Sequence, residues 1–213
     1  MAPDRTSRTD PPIPERPTLP KLRTAIQDCR ACELWADAIQ AVPGEGTSRA
    51  KVMFVGEQPG DREDREGVPF TGPSGALLDR ALQQAGIDRQ SVYVTNAVKH
   101  FRHRERGKRR IHQRPDASHV AACRPWLDAE LAVVRPQVLA CLGATAAQAL
   151  IGRHVRVTKD RGRPLASPLA ACAIVTVHPS SILRARDDDE RHAAFAAFVE
   201  DLEQVAAAMA HAA

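Results

Sequence analysis

The apolar run VMFV at residues 52–55 opens straight into the glycine-rich stretch GEQPGDREDREGVPFTGPSG at 56–75, then into ALLDRAL at 76–82. A short continuous apolar run reads as a strand buried on both faces, and the later pattern as an amphipathic helix. A strand thus delivers a glutamate, a glutamine, an aspartate and a phenylalanine into a loop whose glycines let backbone approach a ligand closely. In open α/β sheets ligands bind at the carboxyl ends of strands. No Gly-Lys-Ser/Thr closes the loop, so it is not a P-loop, and it lacks the GxGxxG spacing of a dinucleotide-binding turn. Strands are predicted at 51–57, 91–98, 137–142 and 171–177. Helices are predicted at 22–41, 75–85, 116–134 (broken near Pro125), 144–151 and 189–208, while 152–168 reads as irregular or β-like. This alternation predicts an α/β fold: a three-layer α/β/α sandwich around a central, mostly parallel four-stranded sheet.

A chain of 213 residues suits one core. Six of its sixteen prolines fall in residues 1–20, which read as a disordered arm. Residues 21–210 read as a single domain, expected to be a monomer. No apolar run reaches membrane-spanning length and no signal-peptide core opens the chain, so a cytoplasmic protein without membrane attachment is expected. Five cysteines in that compartment point to metal binding or core packing rather than disulfides. The net charge of +4 is unevenly spread. Residues 99–114 hold eight Lys/Arg against Glu105 alone, leaving 22 basic and 25 acidic residues elsewhere. A segment this basic at the end of a strand points to a polyanion met at one place, with a solvated surface loop as the bland alternative.

Three segments resemble motifs of the uracil-DNA glycosylase superfamily, in its family-4 iron–sulfur branch: residues 56–75, VTNAVK at 94–99, and TVHPSSILR at 176–184. The similarity runs from about residue 24 to residue 202. A basic insertion after Lys99, ending KRRIH at 108–112, resembles the UdgX branch, whose members bond covalently to the DNA they have deglycosylated. The resemblance implies uracil-containing DNA as substrate, uracil as product and a [4Fe–4S] cluster. Cys29, Cys32 and Cys123 match three of the family's cluster cysteines. His100 stands where the fourth is found, and imidazole ligates iron in Rieske centres. Cys141 and Cys172 lie in apolar runs and read as small buried hydrophobes.

The resemblance also assigns roles within the site. Phe70 offers a stacking face to an extruded base, and Asn96 an amide donor and acceptor that match uracil O4 and N3–H. Taken alone, the two read as core and as a strand-end cap. Gly56 and Gln58 are expected to shape and order the same pocket. His178 is expected to donate to uracil O2, where charge develops as the base leaves. Ser180, Ser181 and Arg184 are expected at DNA phosphates, with Leu183 or Arg184 entering the space the base vacates. Lys108, Arg109 and Arg110 are expected to hold phosphates and to favour a neutral His112. His112 is the expected nucleophile toward C1′, Glu57 its orienting base, and Asp61 a residue that positions water or a sugar. His103, His119, His154, His192 and His211 read as surface residues. A turning-over family-4 enzyme and a non-enzymatic iron–sulfur or zinc module that binds nucleic acid are the alternatives.

Overall fold

A computed structural model describes residues 9–211. Its elements are α1 (Leu19–Ala25), β1 (Val52–Gly56), α2 (Asp61–Glu66), α3 (Pro73–Gln84), β2 (Tyr93–Asn96), β3 (His103–Arg106), β4 (Arg109–His112) and α4 (Ala117–Val134). They continue with β5 (Val138–Leu142), α5 (Ala144–Leu150), α6 (Val157–Asp160), β6 (Pro164–Leu165), β7 (Cys172–Thr176), α7 (Pro179–Ile182) and α8 (Asp188–His211). Along β1, Val52 and Phe54 turn to one face of the sheet, Met53 and Val55 to the other. The first face packs beneath α3 and α8 through Leu78, Leu82, Phe198 and Leu202. The second packs beneath α1, α4 and α5 through Leu19, Leu127, Leu131 and Leu150. Two buried faces are what make each central strand an unbroken apolar run.

The four expected strands are parallel, in the order β2-β1-β5-β7. The sheet has a fifth, β6, which pairs antiparallel at the β7 edge. It is two residues long and starts with proline, which an edge strand tolerates but no apolar run announces. The expected helix at 22–41 is replaced by α1, two single 3₁₀ turns at Ile26–Asp28 and Glu33–Ala36, and extended backbone at Cys29 and Cys32. Leaving the helix lets the chain bury both cysteines against α4 (Cys29 beside Trp126, Cys32 beside Cys123). The expected break at Pro125 is absent. Cys123, Trp126 and Leu127 flank it and are buried, and their packing outweighs a proline cost of about 3 kcal/mol. Of the expected arm, residues 1–8 lie outside the described residues. Thr18 instead caps α1, and Ile13 packs on the cluster around Trp126.

The basic segment is a β-hairpin rather than an open loop. β3 and β4 pair with His103 opposite His112 and Arg106 opposite Arg109. Gly107 takes φ 59° in the turn, a left-handed value that glycine adopts at no steric cost. His119, expected on the surface, is buried. Its Nδ1 accepts from Asp116 N at 2.9 Å, and its Nε2 meets Glu33 Oε1 at 2.8 Å.

A candidate active site at the carboxyl edge of the sheet

The parallel registers set Gly56 beside Asn96 and Leu142 beside Thr176, so the carboxyl ends of the four long strands finish together. From β1 the strand order proceeds to β2 on one side and β5 on the other, the reversal point at which α/β sheets bind ligands. A cavity of about 690 Å³ opens there, lined from every strand end and from the hairpin.

At its floor stand Asn96 and Phe70. Asn96 is 2% exposed, and its Oδ1 has no hydrogen-bond partner within the protein. A buried polar atom left unpaired at the wall of a cavity is poised for a ligand. Phe70 is held with φ 58°, a conformation that costs a non-glycine residue energy and persists only where its surroundings enforce it. Two glycines make the room. A Cβ on Gly56 would come within 2.6 Å of the Phe70 ring, and one on Gly75 would collide with the Phe70 carbonyl. Glu63, which lies outside the expected site residues, also lines the cavity. Its carboxylate accepts from Gly60 N at 3.0 Å and Gly72 N at 2.9 Å, tying both ends of the loop to α2. Its signal was a glutamate at the third helical position, where a carboxylate reaches back to the N-cap N–H of Gly60.

His178 faces Phe70 with ring centroids 6.0 Å apart. Its Nδ1 accepts from Ser180 N at 3.1 Å, so the ring proton belongs on Nε2. Burial, reinforced by His112 and Arg184, pushes the imidazole down to about 4. A neutral ring therefore offers an N–H donor to the cavity. The serines that follow bond within the local turn: the exposed Ser181 Oγ donates to His178 O at 2.7 Å, and Ser180 Oγ, at the cavity, accepts from Arg184 at 3.1 Å. Arg184 lines the cavity, and Leu183 beside it is 39% exposed.

Opposite His178, His112 ends β4 with its Nε2 3.6 Å from Glu57 Oε1. The side chain is half exposed, and its partial burial in the site holds its pKa below the usual 6.5; Glu57 opposes the effect and Arg184 adds to it. The second Glu57 oxygen accepts from Thr145 Oγ1 at 2.5 Å and lies 3.7 Å from Arg114 Nε. The hairpin is clamped at its base by Gln58. Its Nε2 donates to Arg102 O and Gln113 O at 3.1 and 3.0 Å, and its Oε1 accepts from Arg102 N at 3.1 Å.

The three hairpin cations expected at phosphates divide. Lys108 and Arg109 project from the exposed tip. Arg110 turns inward, 2.5 Å from both Asp61 Oδ1 and the buried Asp64 Oδ2, with its guanidinium 5.4 Å from the Phe101 ring centre. Asp61, expected to position water or a sugar, sits outside the cavity lining and holds Arg65 as well as Arg110. Arg184, not Arg110, is therefore the cation that bears on His112.

The expected cluster ligands gather beneath α4. Cys32, Cys123 and Val98 pack together, Trp126 Nε1 donates to Cys29 Sγ at 3.2 Å, and Lys99 N donates to Cys123 Sγ at 3.4 Å. Contact with Cys32, and then burial, push the Cys123 thiol well above its usual range. His100 is 3% exposed and its Nδ1 has no partner in the protein. Among the described residues no three His, Cys, Asp or Glu side chains converge as one metal ion requires. Behind the cysteines, Lys99 forms a buried pair with Glu130 at 2.7 Å. Cys141 is buried, as expected, and Cys172 partly so.

The sheet is that of an open α/β protein, with an aromatic ring, an unpaired amide and a neutral histidine around the cavity at its strand-order reversal. Residues 43–203 match the profile of the uracil DNA glycosylase superfamily, and the chain belongs to that family. It is 36% identical to the type-4 uracil-DNA glycosylase of Thermotoga maritima over 180 residues, 84% of this chain and 88% of that one. It is 32% identical to the type-4 enzyme of Sulfurisphaera tokodaii over 78% of this chain and 76% of the relative. The type-4 enzyme of Pyrobaculum aerophilum is 35% identical over 78% of this chain and 85% of its own length.

Proposed function

We propose that this protein excises uracil from DNA and then bonds through His112 to C1′ of the abasic sugar. The observation that carries the second step is the placement of a neutral imidazole and a carboxylate, 3.6 Å apart, over the same cavity as Phe70, Asn96 and His178. An extruded uracil stacks on Phe70 and pairs O4 and N3–H with the Asn96 amide. As the C1′–N1 bond breaks, its electron pair leaves with the base, and His178 Nε2–H stabilises the charge on O2. A sugar cation remains. One His112 nitrogen donates its lone pair to C1′, and the imidazole proton passes to Glu57. The product is an N-alkylimidazole with no easy hydrolytic exit. Lys108 and Arg109 at the hairpin tip meet phosphates, and Leu183 at the rim fills the space the base vacated.

The residues present also suit a [4Fe–4S] cluster. Three thiols lie buried on or against α4, the buried His100 with its unpartnered Nδ1 directly follows the Lys99 whose N–H donates to Cys123 Sγ, and an indole N–H likewise aims at Cys29 sulfur, as donors do toward cluster thiolates. Cys29, Cys32, Cys123 and His100 would hold it, and its chemistry there is structural bracing or electron exchange. The test is incubation with single-stranded uracil-containing DNA on a denaturing gel. We expect a band resistant to heat and SDS, with the mass of protein plus abasic DNA. His112→Ala should lose the band and keep uracil release. A crosslink mapped to lysine, or one seen only after borohydride, would overturn the histidine mechanism.

A further inference from the structure

We propose that Thr145 is a positioning residue: its hydroxyl fixes the Glu57 carboxylate in the orientation that keeps one oxygen directed at His112. This rests on the functional reading above and concerns a residue that neither the motifs nor the basic hairpin contain. Thr145 reaches the site from β5 through Gly143, whose φ of 92° turns the chain sharply at the strand end. That turn is tied across to β7, because Gly143 N donates to Thr176 O at 2.9 Å. The hydroxyl is therefore carried in the first turn of α5, anchored to β5 and β7 rather than to the hairpin. It is 93% buried at the cavity wall, and toward an ionised carboxylate it acts as the donor.

The two oxygens of Glu57 have different partners. Oε2 accepts from Thr145 at 2.5 Å, which leaves Oε1 turned to His112 Nε2 at 3.6 Å. Arg114 competes for the same carboxylate from 3.7 Å, but its side chain is 64% exposed. An exposed pair of that kind holds little geometry, whereas a buried hydroxyl does. Without the hydroxyl, Glu57 is free to turn outward to Arg114, and His112 loses both its orienting group and its proton acceptor.

The test compares Thr145→Val, Thr145→Ser and Glu57→Ala, singly and combined, under single-turnover conditions at saturating DNA. Thr145→Val should slow adduct formation on the order of tenfold, a fraction of what a general base supplies. DNA affinity and melting temperature should stay near wild type, and Thr145→Ser should restore the rate. In the Glu57→Ala background Thr145→Val should add nothing, because the two residues act as one unit. The imidazole titration of His112, followed by NMR in DNA-free protein, gives a readout independent of turnover. Glu57 raises the His112 pKa, so Thr145→Val should lower the midpoint and Thr145→Ser should leave it in place. Wild-type rates and an unmoved titration in Thr145→Val overturn the inference, as does equal slowing in both backgrounds. A wild-type protein that neither releases uracil nor forms an adduct overturns the functional reading instead, and the titration then still decides the role of Thr145.

Discussion

Replacing Arg110 with methionine separates its role from that of its neighbours on the hairpin. Its guanidinium is the only side-chain cation within salt-bridge reach of Asp64 among the described residues, and Asp64 is fully buried. Breaking a buried ion pair costs about 3–5 kcal/mol, because the surviving charge is stranded. Asp64 keeps the Ile39 N–H at 3.1 Å, and Asp61 keeps Arg65, so the low end applies: about 3 kcal/mol. In a chain of this size that lowers the melting temperature by roughly 6–12 °C. Lys108→Ala and Arg109→Ala should leave stability within about 0.5 kcal/mol, since both sit on the surface. They should instead reduce the slope of log affinity against log salt by about one each. Thermal melts and salt titrations of DNA binding on the three variants settle the division. An Arg110→Met protein that melts within about 1 °C of wild type while losing a unit of salt slope would refute the assignment.

Three further outcomes follow from the site. Because burial keeps His112 below 6.5, the imidazole stays neutral at pH 7 and becomes protonated only as pH falls below that value. Adduct formation should be flat above pH 7 and decline below pH 6.5, while uracil release persists lower; the adduct-to-uracil ratio across pH measures this. Asn96→Asp should lose preference for uracil, since a carboxylate cannot donate to O4; competition between uracil and cytosine substrates reads it directly. Lys99→Met should strand Glu130, which retains bonds from Gly44 N and Thr95 Oγ1, and cost about 3 kcal/mol in chemical denaturation.

Most of the sheet was legible because its strands are buried on both faces, so 51–57, 91–98, 137–142 and 171–177 each carry an apolar run whose core matches an observed strand. The fifth strand, Pro164–Leu165, has no such signal. Cys29 and Cys32 stand three apart, which mimics one face of a helix, but burial against α4 requires extended backbone at both. The hairpin was hidden for a different reason. Its strands have no apolar face, and what holds them is long-range: Gln58 across the base and Arg110 against Asp61 and Asp64. For the same reason sequence could name three cations in a row but not say which one turns inward. His112, Glu57, Asn96, Phe70 and His178 were accessible because they lie at strand ends or in motifs, and the structure gathers all five around one cavity. Thr145 and Asp64 were not, since each matters through a partner at least 25 residues away.

The level finish of the four parallel strands bears on when the protein becomes reactive. The cavity draws on Glu57 from β1, Asn96 from β2, Thr145 after β5 and His178 after β7, which spans more than half of the chain. Parallel pairings of this separation form slowly, because loop closure has to precede the contacts that reward it. A ribosome-bound chain that has not yet released β7 has the hairpin and its histidine but lacks His178, the donor proposed above for the departing base. Reactivity toward DNA thus arrives only with the last strand of the sheet. On the self-modifying mechanism proposed above, that ordering guards each newly made molecule from being consumed before it has folded.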